Sequence, residues 1–94
     1  MKVRFTRRAA RDLNSIFNYI AQDRPGAAAR VVARIEEFVG VLADVPGVGQ
    51  VVSSSGAQAC ALPDLQYPVF YRVVREELQV LLIRHARRRP LNLS

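Results

Sequence analysis

Arg84, His85, Arg87, Arg88 and Arg89 crowd into six consecutive positions near the end of the chain. Guanidinium groups offer planar forks that hold phosphate or carboxylate oxygens two at a time. An imidazole titrates near neutrality and can take or give a proton. Upstream, the run Tyr67-Pro68-Val69-Phe70-Tyr71-Arg72-Val73 adds a phenol at Tyr71. Tyr71, Arg84, His85 and Arg88 are therefore the candidates for catalysis, and Arg84, Arg87, Arg88 and Arg89 the candidates for gripping an acidic target. Plainer roles compete. A tyrosine on a strand more often packs in the core or across strands, and a histidine at a strand end more often has a structural partner. The arginine run resists that explanation, because crowded like charges cost stability unless something negative sits beside them.

Cys60 is the only cysteine, so no internal disulfide forms, and no Cys/His group has metal-ligand spacing. Its Ala-rich apolar neighbourhood marks it as a small buried hydrophobe rather than a nucleophile paired with His85. No metal and no cofactor is expected.

The elements that must hold these residues can be read from periodicity. In Lys2-Val3-Arg4-Phe5-Thr6, alternation puts Val3 and Phe5 on one face of a short, half-buried strand. Thr6 suits an N-cap, its hydroxyl accepting a free backbone N–H of the next turn. From Arg7 the period becomes helical, with Ala9, Leu13, Ile16, Phe17 and Ile20 on one face, to about Gln22. Burying Leu13, Ile16, Phe17 and Ile20 contributes about 1.5–3 kcal/mol each before entropy is subtracted.

Asp23-Arg24-Pro25-Gly26 breaks the pattern, and Pro25 opens a second helix, where its missing N–H costs nothing. That helix runs through Val31 or Val32, Ile35, Phe38, Val39 and Leu42 to near Ala43, and Asp44-Val45-Pro46-Gly47-Val48-Gly49 stops it. So short a connection makes the pair an antiparallel helical hairpin. Residues 50–57 read as a flexible connection. Strands are expected at about 58–62, 69–74 and 78–85, the last two joined by Arg75-Glu76-Glu77 and paired antiparallel. The order β-α-α-β-β-β predicts one α+β domain over 1–94, a helical hairpin packed on a small, mostly antiparallel sheet.

Thirteen of the fourteen basic residues are arginine, and the net charge is +6. That excess predicts an acidic partner, either nucleic acid or a protein with an acidic segment. A chain this short sits at the low end of the ~5–15 kcal/mol stability range, where a tight partner matters for persistence. No apolar run approaches the ~20 residues that span a bilayer. The start Met1-Lys2-Val3-Arg4-Phe5 lacks the apolar stretch of a signal peptide, so a cytoplasmic location without membrane association is expected. Arg30 and Arg34, four residues apart, share a helix face that a partner can use. Arg4, Arg7, Arg8 and Arg11 form a second basic cluster, which joins the C-terminal one if the first strand lies beside the last.

The ordered set of these features resembles the ParE/RelE superfamily of type II toxin–antitoxin toxins. The resemblance is carried by Ala10-Arg11-Asp12-Leu13 with Ile16 and Tyr19-Ile20, then Pro25, Ala27-Ala28 and Ile35. It continues through Leu42, Pro46 and Gly49, then Phe70-Tyr71-Arg72-Val73 and Ile83-Arg84-His85-Ala86-Arg87-Arg88. It implies a cytosolic toxin neutralised by a small cognate antitoxin, whose acidic or amphipathic tail wraps the toxin and whose other domain binds DNA. DNA association is then indirect, through the antitoxin. The tail is expected to cover the hairpin groove and part of the arginine-rich surface, with Arg8, Arg11, Arg30, Arg34 and Arg72 as its contacts.

Within the superfamily the RelE branch cuts messenger RNA on the ribosome. That reaction needs groups that activate a 2′-hydroxyl, stabilise the phosphorane and protonate the leaving oxygen, and the resemblance implies that Lys and Arg supply them after the hairpin and on the following strands. Here residues 35–71 contain no Lys, Arg or His. The ParE branch inhibits DNA gyrase without chemistry of its own, and shares the Pro-x-Ala-Ala opening of the second helix. Gyrase inhibition is the favoured expectation. Ribosome-dependent RNA cleavage and a degenerate toxin that only binds antitoxin are the alternatives.

Overall fold

A computed structural model describes residues 1–61 and 66–84. In chain order these form β1 (Lys2–Phe5), α1 (Arg7–Ala21), α2 (Pro25–Asp44), a 3-10 turn (Pro46–Val48), β2 (Gln50–Val51), β3 (Gln58–Cys60), β4 (Val69–Val74) and β5 (Glu77–Ile83). The strands make one sheet in the order β1-β5-β4-β3-β2. β1 runs parallel to β5, and every other neighbouring pair is antiparallel. The two helices pack against each other and α1 lies against β5, so the α+β arrangement read from the periodicities holds.

The caps explain where the helices begin. Thr6 is extended, and its Oγ1 accepts the N–H of Ala9 at 3.1 Å. Pro25 occupies the first helical position of α2, where a proline gives up no hydrogen bond. α1 buries Ala9 and Ile16, and α2 buries Ala28, Ile35, Val39, Leu42 and Ala43. From the sheet come Val69 and Tyr71 of β4, and Leu78, Val80 and Ile83 of β5.

Val80 and Ile83 point the same way although three residues apart, which a regular strand forbids. A register shift resolves this: Tyr71 pairs with Val80 and Phe70 with Leu82, leaving Leu81 as the extra residue of a bulge. The Leu81 carbonyl, freed from the ladder, accepts the hydroxyl of Thr6 at 2.8 Å. Thr6 thus caps α1 and ties it to β5 with one oxygen.

Three expectations are corrected. Residues 50–57 are not a flexible connection: Gln50 and Val51 pair with Ala59 and Gln58, making a fifth strand. The link back is a compact turn, with Val52 N–H donating to Ala57 O at 2.8 Å and Gly56 at φ 90°. Glu77 belongs to β5, not to the turn, which is only Arg75-Glu76 with Arg75 at φ 58°. Phe17 leaves the core and is 37% exposed, while Leu13 and Ile20 are half-buried. Cys60 is half-buried, packed against the core cluster. β3 ends at Cys60 and β5 at Ile83; the remainder of the strands expected over 58–62 and 78–85 includes Leu62 and His85, which lie outside the described residues.

Tyr71 is the largest fully buried side chain among the described residues, and its hydroxyl donates to the Pro46 carbonyl at 2.6 Å. The phenol therefore fastens the turn after α2 to the middle of the sheet. Gly49 leaves room for it, since a Cβ there would run into the Tyr71 ring and hydroxyl. Burial raises the phenol above its ordinary value of 10.0, and the Gly49 backbone N–H partly offsets this. Folding thus favours the protonated phenol. Its contribution is complete below pH 10.0 and is lost as the pH climbs through the folded-state value.

Tyr71→Phe should cost about 1–3 kcal/mol in urea unfolding, because the Pro46 carbonyl loses its partner. It should also flatten the alkaline loss of stability. Gly49→Ala should be destabilising by overpacking, and Tyr71→Phe in its background should cost less than on its own.

Candidate partner-binding surfaces

The basic residues at opposite ends of the sequence meet because β1 lies beside β5. Thr6 N–H donates to Val80 O at 3.0 Å, extending the parallel pairing up to the start of α1. In the second turn of α1, Asp12 turns back to the sheet, and its Oδ2 accepts the N–H of Ile83 at 3.0 Å. The same oxygen lies 3.5 Å from Arg8 Nε. Arg84 follows directly, its N–H donating to Pro68 O at 3.0 Å. The half-buried Asp12 carboxylate thus joins Arg8 to the backbone of β5 one residue before Arg84, with Arg7 and Arg11 exposed on the same two turns of α1. The first turn of α1 carries no acidic residue, so its arginines add to the positive end of the helix dipole. His85, Arg87, Arg88 and Arg89 lie outside the described residues.

A second basic surface lies on the sheet face turned away from the helices. Val69 and Tyr71 point inward, so Phe70 and Arg72 point outward. Register aligns Arg4, Gln79 and Arg72 across β1, β5 and β4, with Lys2 opposite Glu77 in the neighbouring row. Arg4 Nε sits 3.2 Å from Glu77 Oε1, and Gln79 Nε2 donates to that same oxygen at 3.0 Å. The Gln79 amide, then the cations Arg4 and Lys2, hold the Glu77 carboxyl below its usual range. Among the described residues Arg72 Nε is buried without a hydrogen-bond partner, a cost that an acceptor brought by a partner can remove.

The third surface is apolar. Phe5, Ala10, Leu13, Phe17 and Val32 line a shallow groove between α1, α2 and β1, with Asn14 and Glu36 also lining it. Sequence reasoning expected a groove on the helical hairpin but assigned Leu13 and Phe17 wholly to the core, and so missed the residues that line it. The signal was present: Ala10, Leu13 and Phe17 form a stripe beside the buried Ala9–Ile16 stripe, so the apolar arc of α1 is wider than one core face requires.

None of Arg8, Arg11, Arg30, Arg34 and Arg72 lines the groove. Arg30 is exposed on α2, and Arg34 Nη1 pairs with Glu37 Oε1 at 3.0 Å. Such exposed pairs are worth at most about 1 kcal/mol, so a partner displaces them cheaply. Tyr71 is fully engaged inside the core, its hydroxyl held by Pro46. Among the described residues no group of three or more His, Cys, Asp or Glu side chains could hold a metal ion, and no helix is long and apolar enough to cross a membrane.

Comparison with known proteins falls on the same pattern. Residues 3–90 match the family model described as the ParE toxin of type II toxin–antitoxin system, parDE. The chain is 40% identical over 85 residues to "Putative toxin Y4kP" of Sinorhizobium fredii (strain NBRC 101917 / NGR234), covering 90% of this chain and 88% of that protein. It is 32% identical over 87 residues to "Toxin RelE2" of Caulobacter vibrioides (strain ATCC 19089 / CIP 103742 / CB 15), covering 93% and 97%. Among solved structures, the chromosomal ParDE TA system from P. aeruginosa superimposes with a TM-score of 0.78 at 29% identity, over 88% of this chain and 92% of that one.

Asp12→Ala should cost about 1–3 kcal/mol by urea unfolding, because the Ile83 N–H loses a charged acceptor. Amide exchange at Ile83 and Arg84 should accelerate more than in the centre of β4. Asp12→Asn keeps an acceptor oxygen and should recover most of the stability.

Proposed function

The chain belongs to the ParE toxin family of type II toxin–antitoxin systems, and we propose that it stops growth by disabling DNA gyrase. The observation that carries this reading is the distribution of charge. From residue 35 to residue 71 there is no Lys, Arg or His, and that stretch includes the second half of α2, β2, β3 and the first half of β4. A ribonuclease of this fold needs cations there to stabilise the phosphorane. The cations are instead gathered at the start of α1 and the end of β5, which suits docking on an acidic surface.

The ParDE neighbour supports a cognate antitoxin as the partner. In this reading the antitoxin lays apolar anchors into the α1–α2 groove, and its acidic residues engage the surrounding arginines. Arg72 and Arg84, half-buried and already positioned, offer more than freely solvated arginines, because less side-chain entropy is lost on binding. In the cell such a pair works in the cytoplasm, and DNA is reached through the antitoxin.

A second reading is favoured by one observation, the relative named Toxin RelE2: ribosome-dependent cleavage of messenger RNA. Arg84, with His85 and Arg88 beyond it, would then serve the reaction.

Purified chain titrated into a supercoiling assay should inhibit gyrase and accumulate cleaved complexes. Normal supercoiling at saturating protein, with growth arrest intact in cells, overturns the gyrase reading. New 5′ ends on translated messages soon after induction would put RNA cleavage in its place. Replacing Arg87, Arg88 and Arg89 with Ala should abolish toxicity at equal expression. At the groove, Leu13→Glu should weaken antitoxin capture by about tenfold or more, since it buries a charge where an apolar anchor docks.

A further inference from the structure

Val32, Glu36 and Gly40 form one row along α2, since residues four apart share a helix face. Val32 and Glu36 line the α1–α2 groove, and Glu36 is the one charged side chain among its described lining residues. It is exposed, and among the described residues its carboxylate has no ion pair. Arg34 is engaged by Glu37, and the Arg30 guanidinium lies 3.6 Å from the Cβ position of Gly26, in the first turn of α2. The opposite rim, on α1, is cationic. Arg11 and Arg7 precede Asn14 by three and seven residues, so they continue its face beyond the groove, and both are exposed. Apolar surface thus lies between a negative wall and a positive rim. Gly40 is a separate observation. A Cβ there would meet nothing within 4 Å, so no packing among the described residues requires a glycine. Glycine is less favourable than alanine inside a helix, because it loses more conformational freedom. A bare backbone at this position suits the close approach of another chain.

Charge selects what can be seated here. A segment that closes the groove shields Glu36 from water, and a carboxylate so covered is costly unless a cation meets it. A segment with acidic residues on both flanks satisfies Arg7 and Arg11 but leaves Glu36 repelled. One with acid towards α1 and base towards α2 satisfies both sides. On the reading that the antitoxin occupies this groove, we propose that Glu36 is a specificity determinant. The docked segment carries a Lys or Arg against Glu36 and acidic side chains against Arg7 and Arg11, on opposite flanks of its apolar anchors. The opposed charges also set its direction, because reversing the segment with the same face down exchanges the two flanks.

Calorimetric titration of the full chain with its cognate antitoxin tests this, using Glu36→Lys and Glu37→Lys. Both positions are exposed on α2 and both substitutions change the net charge equally, but Glu37 pairs with Arg34 and does not line the groove. Circular dichroism of both variants should match the wild type. Glu36→Lys should weaken capture by about tenfold or more, with partial recovery at high salt, and Glu37→Lys by less than about twofold. The direction is decisive, because net charge alone predicts that a more cationic chain holds an acidic partner more tightly. Antitoxin variants selected by display to regain capture of Glu36→Lys should exchange a Lys or Arg for Asp or Glu. Unchanged or tighter capture by Glu36→Lys overturns the proposal. So does equal weakening by Glu37→Lys, or recovery through apolar substitutions alone. Leu13→Glu separates this proposal from the reading beneath it. If capture survives Leu13→Glu, the antitoxin does not use the groove and both fall; if Leu13→Glu weakens capture and Glu36→Lys does not, only the role of Glu36 falls.

Discussion

The stitching of α1 to the far end of β5 is the constraint on which the rest of the molecule depends. Thr6 supplies two bonds, from its N–H to Val80 and from its hydroxyl to Leu81, and Asp12 supplies a third to the Ile83 N–H. These contacts cross more than seventy residues of chain. They fix the entry angle of α1, and with it the position of Ile16 over the sheet and of Leu13 and Phe17 along the groove. They also fix where the strand bearing Arg84 ends. The bulge at Leu81 is part of the same device, because a regular ladder would leave no carbonyl for Thr6. Asp12, bonded to the Ile83 N–H, also pairs with Arg8 and so offsets part of the positive charge at the start of α1.

Charge and apolar surface are segregated around this frame. Cations gather at the start of α1, at the end of β5 and in a row across the outer sheet face. The groove between the helices is largely apolar with Glu36 among its lining residues, and residues 45–61, which include β2, carry no charged side chain. A chain of 94 residues has little surface to divide. Keeping charged and apolar surface apart lets each be recognised by a different force, and salt screens only the charged one.

Much of this was legible in the residues. The Thr6 cap, the Pro25 helix start, the helical hairpin and the hydrophobic β4–β5 pair all follow from local signals, since each depends on neighbours within a few positions. What escaped depends on partners distant in sequence. β2 is two residues long with Val on an edge, too short to show alternation, and its neighbouring serines resemble a linker until Val52 is seen bonded to Ala57. The pairing of β1 with β5 was open because nothing in Lys2–Phe5 specifies its neighbour. Phe17 read as core because periodicity reports a face and not its width. Tyr71 carried two readings, and the one the geometry displays, a phenol locked to Pro46, depends on the missing side chain of Gly49 twenty-two residues earlier.

The parallel pairing of β1 with β5 also sets a timetable. A strand made first finds its place only beside the strand made last, so during synthesis α1 and α2 can form while β1 waits without a neighbour. Contacts of such long sequence separation are slow to form, because the loop must close before they return any stability. The arginine surface that joins the two ends is therefore among the last things to exist on a nascent chain. A ribosome translating this message carries no assembled toxin until β5 has left the exit tunnel, and a chain truncated before Ile83 lacks the strand end to which α1 is fastened.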